Sequence, residues 1–208
     1  MCRDADTREP PVSARLPITL DVTGRTCVVI GGGPMAADRA GALAAAGAVT
    51  VEVAAGGYRP ELLDGAFVAI VTGEDDTDAA TVFADAEPRG VLVNTLDDVA
   101  HCHFAFPATI VRGDVRVAIS TGGRAPALAR RLRLYLEERV PGEVALLADA
   151  LAEARTEALP RTVPLDEWIA NWRSALEDLD ALLALCRDQR PDLARDRVLA
   201  TVSGGAPA

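Results

Sequence analysis

An apolar run that ends in three consecutive glycines is the feature that most constrains how this chain can fold. Residues 26–30 read TCVVI, residues 31–33 are all glycine, and an alanine-rich segment follows. This order predicts a buried strand, a tight turn and a helix, and Gly31-x-Gly33-x-x-Ala36 is the dinucleotide fingerprint with alanine in its third place. The first glycine allows the sharp turn, and the second lets a pyrophosphate approach the start of a helix, where free N–H groups favour anions.

The residues just after the second predicted strand, 49–54, bear on the choice between NAD and NADP. No acidic residue stands there, where an Asp or Glu often binds the ribose of NAD, and Ala-Gly-Gly at 55–57 occupies the place. No arginine follows that could pair with a 2′-phosphate before Arg59. We therefore expect NAD, and Arg59 is the one residue here that argues for NADP.

Composition and charge exclude several classes of protein. Half of the 208 residues are hydrophobic and only 4% are aromatic, which predicts a sizeable core of Ala, Val and Leu. The net charge of −10 argues against nucleic acid or an anionic membrane as the partner. All 21 basic residues are arginines, so lysine chemistry is excluded. Four scattered cysteines, no signal peptide and no long apolar run predict a reduced, cytoplasmic protein without a metal site or disulfide framework.

Strands and helices are predicted to alternate through the first half of the chain. The predicted strands cover residues 25–30, 49–54, 66–72 and 91–94, and the predicted helices cover 34–46 and 76–86. This order predicts an α/β fold with a doubly wound, Rossmann-like parallel sheet. Residues 16–20 could add a strand at its edge, and only a short link joins the second and third strands.

The second half of the chain is predicted to be a small α+β segment followed by helices. The predicted elements are a hairpin with strands over 108–111 and 115–120, a helix over 126–139, and amphipathic helices over 143–158 and 165–187. Trp168 and Trp172 fall at helical spacing and are interpreted as core or interface anchors. The last residues, 201–208, are small and are expected to be flexible.

These signals predict four parts in the chain. They are a flexible tail over 1–15, a nucleotide-binding Rossmann domain over 16–106, a dimerisation segment over 107–140 and a helical C-terminal domain over 141–208. The segment over 107–140 has no obvious partner in the preceding sheet, and its apolar face must be covered. We therefore expect a homodimer.

Two carboxylates follow the last strand of the predicted sheet. Asp97 and Asp98 lie at its carboxyl edge, where doubly wound folds bind ligands. One of them could act as a general base, and the alternative is that the pair caps the next turn. His101 and His103 flank Cys102 in a pattern that could hold a metal. In an extended segment the cysteine would point away from both histidines, which favours surface histidines beside a buried cysteine.

A third stretch, residues 120–126, ends a strand and opens a helix with small hydroxyls and glycines. Between Pro107 and Arg133 the chain has six arginines and one acidic residue, although the whole chain is acidic. Such a basic island favours a polyanionic small ligand. Some of these arginines are interpreted as a solvated helix face, because Arg130, Arg131 and Arg133 cannot all point one way.

Seven short motifs occur in a recognisable order. They are Leu16-Pro17, Gly31-Gly32-Gly33, Ala46-Gly47-Ala48, Asn94-x-x-Asp97-Asp98, Cys102-x-Phe104, Phe106-Pro107-Ala108 and Ala118-Ile119-Ser120-Thr121-Gly122-Gly123-x-x-Pro126. Over residues 16–141 the chain resembles the sirohaem-synthase dehydrogenase family. These are precorrin-2 dehydrogenases, and some members are also sirohydrochlorin ferrochelatases. The chain departs from the family at Pro34-Met35, at Arg39 in place of a lysine, and in lacking one strand after the second.

The resemblance implies NAD-dependent oxidation of precorrin-2 to sirohydrochlorin by a homodimer, with ferrous iron as a further substrate where the second activity is present. It implies Asp97 as the catalytic residue. The implied nucleotide contacts are Gly31, Gly32, Gly33, Pro34, Met35, Ala55, Gly56, Thr72 and Asn94. The implied substrate contacts are Ser120, Thr121, Gly122, Arg124 and Arg130, and a polycarboxylate tetrapyrrole would suit the basic island. The alternative is a non-catalytic or repurposed nucleotide- or tetrapyrrole-binding homologue.

Overall fold

The computed structural model of the protein describes residues 16–73, 77–159 and 163–203. The chain forms two compact units. The first contains the described residues up to Phe106 together with Gly122–Arg124, and the second contains Pro107–Thr121 and the described residues from Ala125 onward. None of the helices in these described ranges is long and apolar enough to cross a membrane.

The first unit is a four-stranded parallel sheet with helices on its two faces. In chain order its elements are β1 (Thr26–Ile30), α1 (Gly33–Ala45), β2 (Val49–Val53), a 3-10 helix (Pro60–Leu63), β3 (Val68–Val71), α2 (Ala79–Ala86), a 3-10 helix (Glu87–Arg89), β4 (Leu92–Thr95) and a 3-10 helix (Val99–His101). The strand order is β2-β1-β3-β4, and all three pairings are parallel. The predicted Rossmann-like sheet is confirmed.

Each face of the sheet has its own apolar core, which is why the central strands are apolar throughout. Val28 and Ile30 of β1 pack on the face that α2 covers with Val82 and Ala86. The alternate residues Cys27 and Val29 pack on the other face, with Ala36, Ala40 and Leu43 of α1. The α1 residues recur at intervals of four and three, which places them on one side of the helix.

Strand β2 is an edge of the sheet. Only the 3-10 helix Pro60–Leu63 lies between β2 and β3 along the chain. This agrees with the short link expected from the sequence. The predicted edge strand at 16–20 is wrong. That segment has no strand, and Leu16 and Ile18 are 80% and 69% exposed. Pro17 deprives it of a backbone donor for pairing.

Helix α2 begins later than predicted. It starts at Ala79 because Asp78 caps it, with the Asp78 carboxylate accepting a hydrogen bond from the Ala80 N–H at 3.2 Å. Position 76 of the predicted helix lies outside the described residues.

The second unit contains a hairpin and five helices in its described part. They are β5 (Ala108–Arg112), β6 (Val115–Ile119), α3 (Pro126–Glu137), α4 (Glu143–Glu157), α5 (Leu165–Ala175), α6 (Leu179–Arg187) and α7 (Pro191–Val202). Strands β5 and β6 pair in antiparallel fashion, as predicted. The prediction of one helix over 165–187 is wrong, because the chain turns after Ala175 and Asp178 caps a new helix through the Ala181 N–H at 3.1 Å.

Helix α7 was not predicted, and it takes in residues 201–202, which the sequence suggested were flexible. Residues 204–208 of that stretch lie outside the described part. The helical core is built from Leu147, Leu182, Cys186 and Val198. Trp168 and Trp172 pack against it with their rings edge to face at 6.0 Å, as the core-anchor interpretation predicted.

Candidate active site at the carboxyl edge of the sheet

The ends of the four parallel strands lie in register at one edge of the first unit. Ile30 lies beside Val53 and Val71, and Val71 lies beside Thr95. The backbone ladder continues one residue further, since the Leu96 N–H donates to the Val71 carbonyl at 2.9 Å. Neighbouring strands are about 4.8 Å apart, so the turn after β4 lies roughly 10 Å from the glycine turn after β1. We call this region the carboxyl-edge site.

The first residue of the glycine turn can only be glycine. Gly31 is buried with φ +121°, a conformation that disfavours any side chain. A Cβ built there would stand 2.2 Å from the Thr72 hydroxyl oxygen. Thr72 is itself buried, and its hydroxyl donates to the Ile30 carbonyl at 3.3 Å.

The start of α1 is open to an anion. Its N-cap is Gly32, which offers no side-chain cap, and no acidic residue lies in the first turn. Gly33, Pro34 and Met35 are exposed. The unpaired N–H groups of the first turn and the helix dipole favour a phosphate at this position, although Pro34 removes one of those donors.

A cavity of about 230 Å³ lies beside the exposed Gly56. Its lining residues are Gly56, Tyr58, Thr77, Asp78 and Thr81. The Tyr58 hydroxyl donates to the Asp85 carboxylate at 2.9 Å. The pKa of Tyr58 is raised, mainly by burial and secondly by this hydrogen bond. Contact of Ala55 and Gly56 with a nucleotide stays a prediction, and sequence reasoning did not single out Tyr58 as a lining residue of this cavity, since its only signal was its position just past the glycines.

The two carboxylates after β4 have different surroundings. Asp97 is exposed with φ +58°, and among the described residues its carboxylate makes no hydrogen bond or ion pair. Asp98 accepts from the Ala100 N–H at 3.1 Å, which caps the 3-10 helix, and it also bonds His101 Nδ1. The hydrogen bond from His101 lowers the pKa of Asp98. The Asp98 carboxylate therefore has a structural role as a helix cap, whereas the Asp97 carboxylate has no partner among the described residues.

His101 and His103 both contact the ring of Phe83. His103 stacks on the Phe83 ring at 4.6 Å, and His101 meets it edge-on at 5.6 Å. The Val93 N–H donates to His103 Nδ1 at 3.0 Å, and Nε2 bonds Glu87. No group of three or more His, Cys, Asp or Glu in the described ranges could hold a metal ion.

Asn94 is buried, and its amide nitrogen donates to the Phe104 carbonyl at 2.9 Å. Like Thr72, it stabilises the edge of the sheet itself. Contact of either side chain with a nucleotide stays a prediction.

The predicted substrate residues are divided between the two units. Gly122 and Arg124 belong to the first unit, and Ser120, Thr121 and Arg130 belong to the second. The Thr121 hydroxyl accepts a hydrogen bond from the Ala125 N–H at 3.2 Å, which stabilises the turn before α3. Arg124 and Arg130 are exposed.

Half of the arginines in the basic island have structural partners. Arg112 donates to the Val140 carbonyl at 3.0 Å, Arg116 to the Gly113 carbonyl, and Arg133 to the Glu137 carboxylate. In the described ranges Arg124, Arg130 and Arg131 have no such hydrogen bond, and all three are exposed.

Comparison with known proteins gives matches along most of the chain. A model described as NAD(P)-binding matches residues 18–108, and one described as the central part of sirohaem biosynthesis proteins matches residues 112–139. The sirohaem synthase of Photorhabdus laumondii is 34% identical over 187 residues, which is 81% of this chain and 40% of that protein. The sirohaem synthase of Thiobacillus denitrificans is 38% identical over 167 residues, which is 69% of this chain and 35% of that protein.

The chain belongs to the sirohaem synthase family. It spans 32% to 40% of the length of the curated sirohaem synthases that it matches here. The solved structure of the precorrin-2 dehydrogenase SirC shares the fold, with a TM-score of 0.60 and 20% identity, over 90% of this chain and 98% of SirC. Within the family match, the NAD(P)-binding region includes both the glycine turn and Asp97.

Proposed function

We propose that this member of the sirohaem synthase family is an NAD-dependent dehydrogenase that oxidises precorrin-2 to sirohydrochlorin. The observation that carries the proposal is the position of Asp97. It presents a carboxylate without a protein partner among the described residues, on the same sheet edge as the glycine turn. The names of the relatives and the NAD(P)-binding family match support the same function.

Two features of the carboxyl-edge site support dinucleotide binding there. The close approach of Gly31 to Thr72 and the open start of α1 suit a pyrophosphate at the glycine turn. The residues proposed to hold NAD are Gly31, Gly32, Gly33, Pro34, Met35, Ala55, Gly56, Thr72 and Asn94. When bound, NAD supplies the hydride acceptor.

Asp97 is proposed to accept the proton that the substrate loses when it gives up a hydride. A carboxylate within hydrogen-bond reach is suited to this role, and general-base catalysis is worth about 10²–10⁴ in rate. Asp98 cannot serve equally, because its two oxygens already bond the Ala100 N–H and His101.

Exposed arginines are proposed to recognise the substrate. Arg124 and Arg130 have no ion pair within the described residues, so their guanidinium groups are available to the carboxylates of a tetrapyrrole. Ser120, Thr121 and Gly122 belong to the same segment of the sequence and complete the proposed substrate set.

The protein is also proposed to act as a homodimer, through the second unit. Helix α3 exposes Leu128, Leu132, Leu134 and Tyr135, at 52%, 37%, 42% and 50% respectively. Leu128, Leu132 and Tyr135 recur at intervals of four and three, on one side of the helix, and such an exposed apolar face marks an interaction surface for which a second copy is the simplest cover. Light scattering at micromolar concentration should give twice the mass of the chain, and a monomeric mass would contradict this part of the proposal.

The function is tested by mixing purified protein with precorrin-2 and NAD and following the visible and near-ultraviolet spectrum. Formation of NADH together with sirohydrochlorin supports the dehydrogenase. Binding of both ligands without NADH formation would instead identify a non-catalytic binding protein.

Iron insertion into sirohydrochlorin is tested in the same preparation. Metal insertion needs a base for two pyrrole protons, and Asp97 is proposed to supply it. An insertion rate above the uncatalysed level that is lost in Asp97→Asn would assign this second activity. A rate at the uncatalysed level would leave the dehydrogenase as the only proposed activity.

A further inference from the structure

The turn that carries Asp97 is joined at both ends to one sulfur atom. We propose that Cys102 is the positioning residue of the site, because its thiol holds the backbone of residues 95–98 and so fixes where the Asp97 carboxylate lies. The inference rests on the proposed function for its catalytic consequence, whereas its structural consequence can be measured without any substrate.

The contacts of Cys102 lie on either side of Asp97. The Thr95 N–H donates to Cys102 Sγ at 3.1 Å. The sulfur also lies 3.1 Å from the carbonyl oxygens of both Thr95 and Asp98, and the thiol can donate to either. One side chain therefore bonds the residue that ends β4 and the residue that begins the following 3-10 helix.

Asp97 cannot hold this turn by itself. Its φ of +58° is sparsely populated for a residue with a side chain, and such a conformation persists only when the surroundings impose it. No hydrogen bond of its own carboxylate within the described residues fixes it. The Thr95 hydroxyl also bridges the loop, by donating to the His101 carbonyl at 3.0 Å, but it does not reach Asp98, whereas Cys102 Sγ bonds the backbone of both Thr95 and Asp98.

Sulfur suits this position better than oxygen does. A thiol is a weak donor and a weak acceptor with a longer bond to Cβ, so it can lie between three backbone groups at once. Cys102 is a free, half-buried thiol in the structure. A serine hydroxyl would lie closer to its own Cβ and would reach fewer of these partners.

The test compares Cys102→Ala, Cys102→Ser and, as a matched control, Cys186→Ala. Cys186 is also a free cysteine, and it is buried in the helical core of the second unit. In Cys102→Ala we expect kcat for NADH formation to fall by about tenfold to a hundredfold, the usual cost of a displaced catalytic group. The KM values for NAD and precorrin-2 should change little. Cys102→Ser should be intermediate, and Cys186→Ala should keep the kcat of the unaltered protein.

Amide hydrogen exchange of residues 95–98 gives the second readout, without NAD or precorrin-2. Exchange should accelerate by about tenfold in Cys102→Ala and not in Cys186→Ala, because local opening is governed by the bonds that close the turn. Unchanged exchange at 95–98 together with an unchanged kcat would overturn the inference. A fall in kcat matched by rising KM values and global loss of protection would also overturn it, since that indicates general unfolding.

The two proposals fail in different ways. If the unaltered protein binds NAD but forms no NADH from precorrin-2, the proposed function fails and the exchange experiment still decides the role of Cys102. If Cys102→Ala does not fold, Cys102→Ser carries the test, and exchange and kcat identical to those of the unaltered protein would overturn the inference.

Discussion

The hydroxyl of Thr72 occupies the space that any side chain at residue 31 would need. Thr72 follows β3 and Gly31 follows β1, and the two strands are neighbours in the sheet. The contact lies at the glycine turn where the pyrophosphate of NAD is proposed to bind. Packing within the protein, and not only the needs of a ligand, therefore requires glycine at this position.

Gly31→Ala should damage both stability and NAD binding. The new methyl group would meet Thr72 at 2.2 Å and would force alanine into φ +121°. Overpacking and backbone strain each cost about 1–3 kcal/mol, so we expect the free energy of unfolding to fall by about 3 kcal/mol. Urea unfolding measures the stability, and calorimetry measures the NAD affinity, which should also fall.

Gly32→Ala is the matched control for stability. Gly32 has an ordinary φ of −113°, and a Cβ there meets nothing within 4 Å. Its stability should change by less than about 0.5 kcal/mol. Adding Thr72→Ala to Gly31→Ala should recover the packing part of the loss and leave the backbone part. If both glycine variants lose the same stability, the explanation from the Thr72 contact is wrong.

Asp98→Asn should remove a part of the stability that depends on pH. The hydrogen bond from His101 lowers the pKa of Asp98 in the folded protein. A carboxylate whose pKa is lowered on folding stabilises the protein above its ordinary pKa of about 3.9, and this stabilisation is lost as the pH falls through the folded value. The variant should thus unfold at lower urea than the unaltered protein at pH 7, and the two midpoints should converge below about pH 4.

Asp97→Asn serves as the comparison at pH 7. Among the described residues the Asp97 carboxylate has no partner, and asparagine tolerates a positive φ well. Its urea midpoint at pH 7 should match that of the unaltered protein. A difference between Asp98→Asn and the unaltered protein that stays constant down to pH 3 would contradict the role given to the His101 bond.

NAD should bind more tightly than NADP. The residues after β2 are Ala54, Ala55 and two glycines, and the first arginine is Arg59, which is exposed and precedes the 3-10 helix Pro60–Leu63. Arg59→Ala should leave the NAD affinity unchanged and weaken NADP further, because only a 2′-phosphate would use that charge. Calorimetry with both nucleotides measures this, and tighter binding of NADP to the unaltered protein would reverse the assignment.

Much of the first unit could be predicted from the sequence because its signals are local. Buried strands such as β1 are continuous apolar runs, and the turn after β1 has three glycines in a row. The edge strand expected at 16–20 was wrong, because an apolar run carries no information about whether a neighbouring strand is available. The break between α5 and α6 was missed, since Leu176, Leu179 and Leu183 continue the helical spacing across it.

The details of the candidate site could be predicted only in part. The sequence placed Asp97 and Asp98 together at the sheet edge, but it could not divide their roles, which depend on the hydrogen bonds of Asp98 to Ala100 and His101. The bonds of Cys102 to Thr95 and Asp98 likewise leave no periodic pattern. Such side-chain to backbone contacts are set by the path of the loop, which composition and spacing do not determine.

Asp97→Asn is the decisive test of the proposed chemistry. The substitution keeps the size, the hydrogen-bonding capacity and the tolerance for φ +58° of the native residue, but it removes the group that accepts a proton. NAD binding should therefore persist, while the rate of NADH formation falls by about 10²–10⁴, the usual contribution of a general base. Asp98→Asn, whose native carboxylate caps the adjacent 3-10 helix, should retain most of the rate. Stopped-flow measurement of NADH formation compares the two, and a nearly full rate in Asp97→Asn would remove Asp97 as the base and with it the main support for the dehydrogenase.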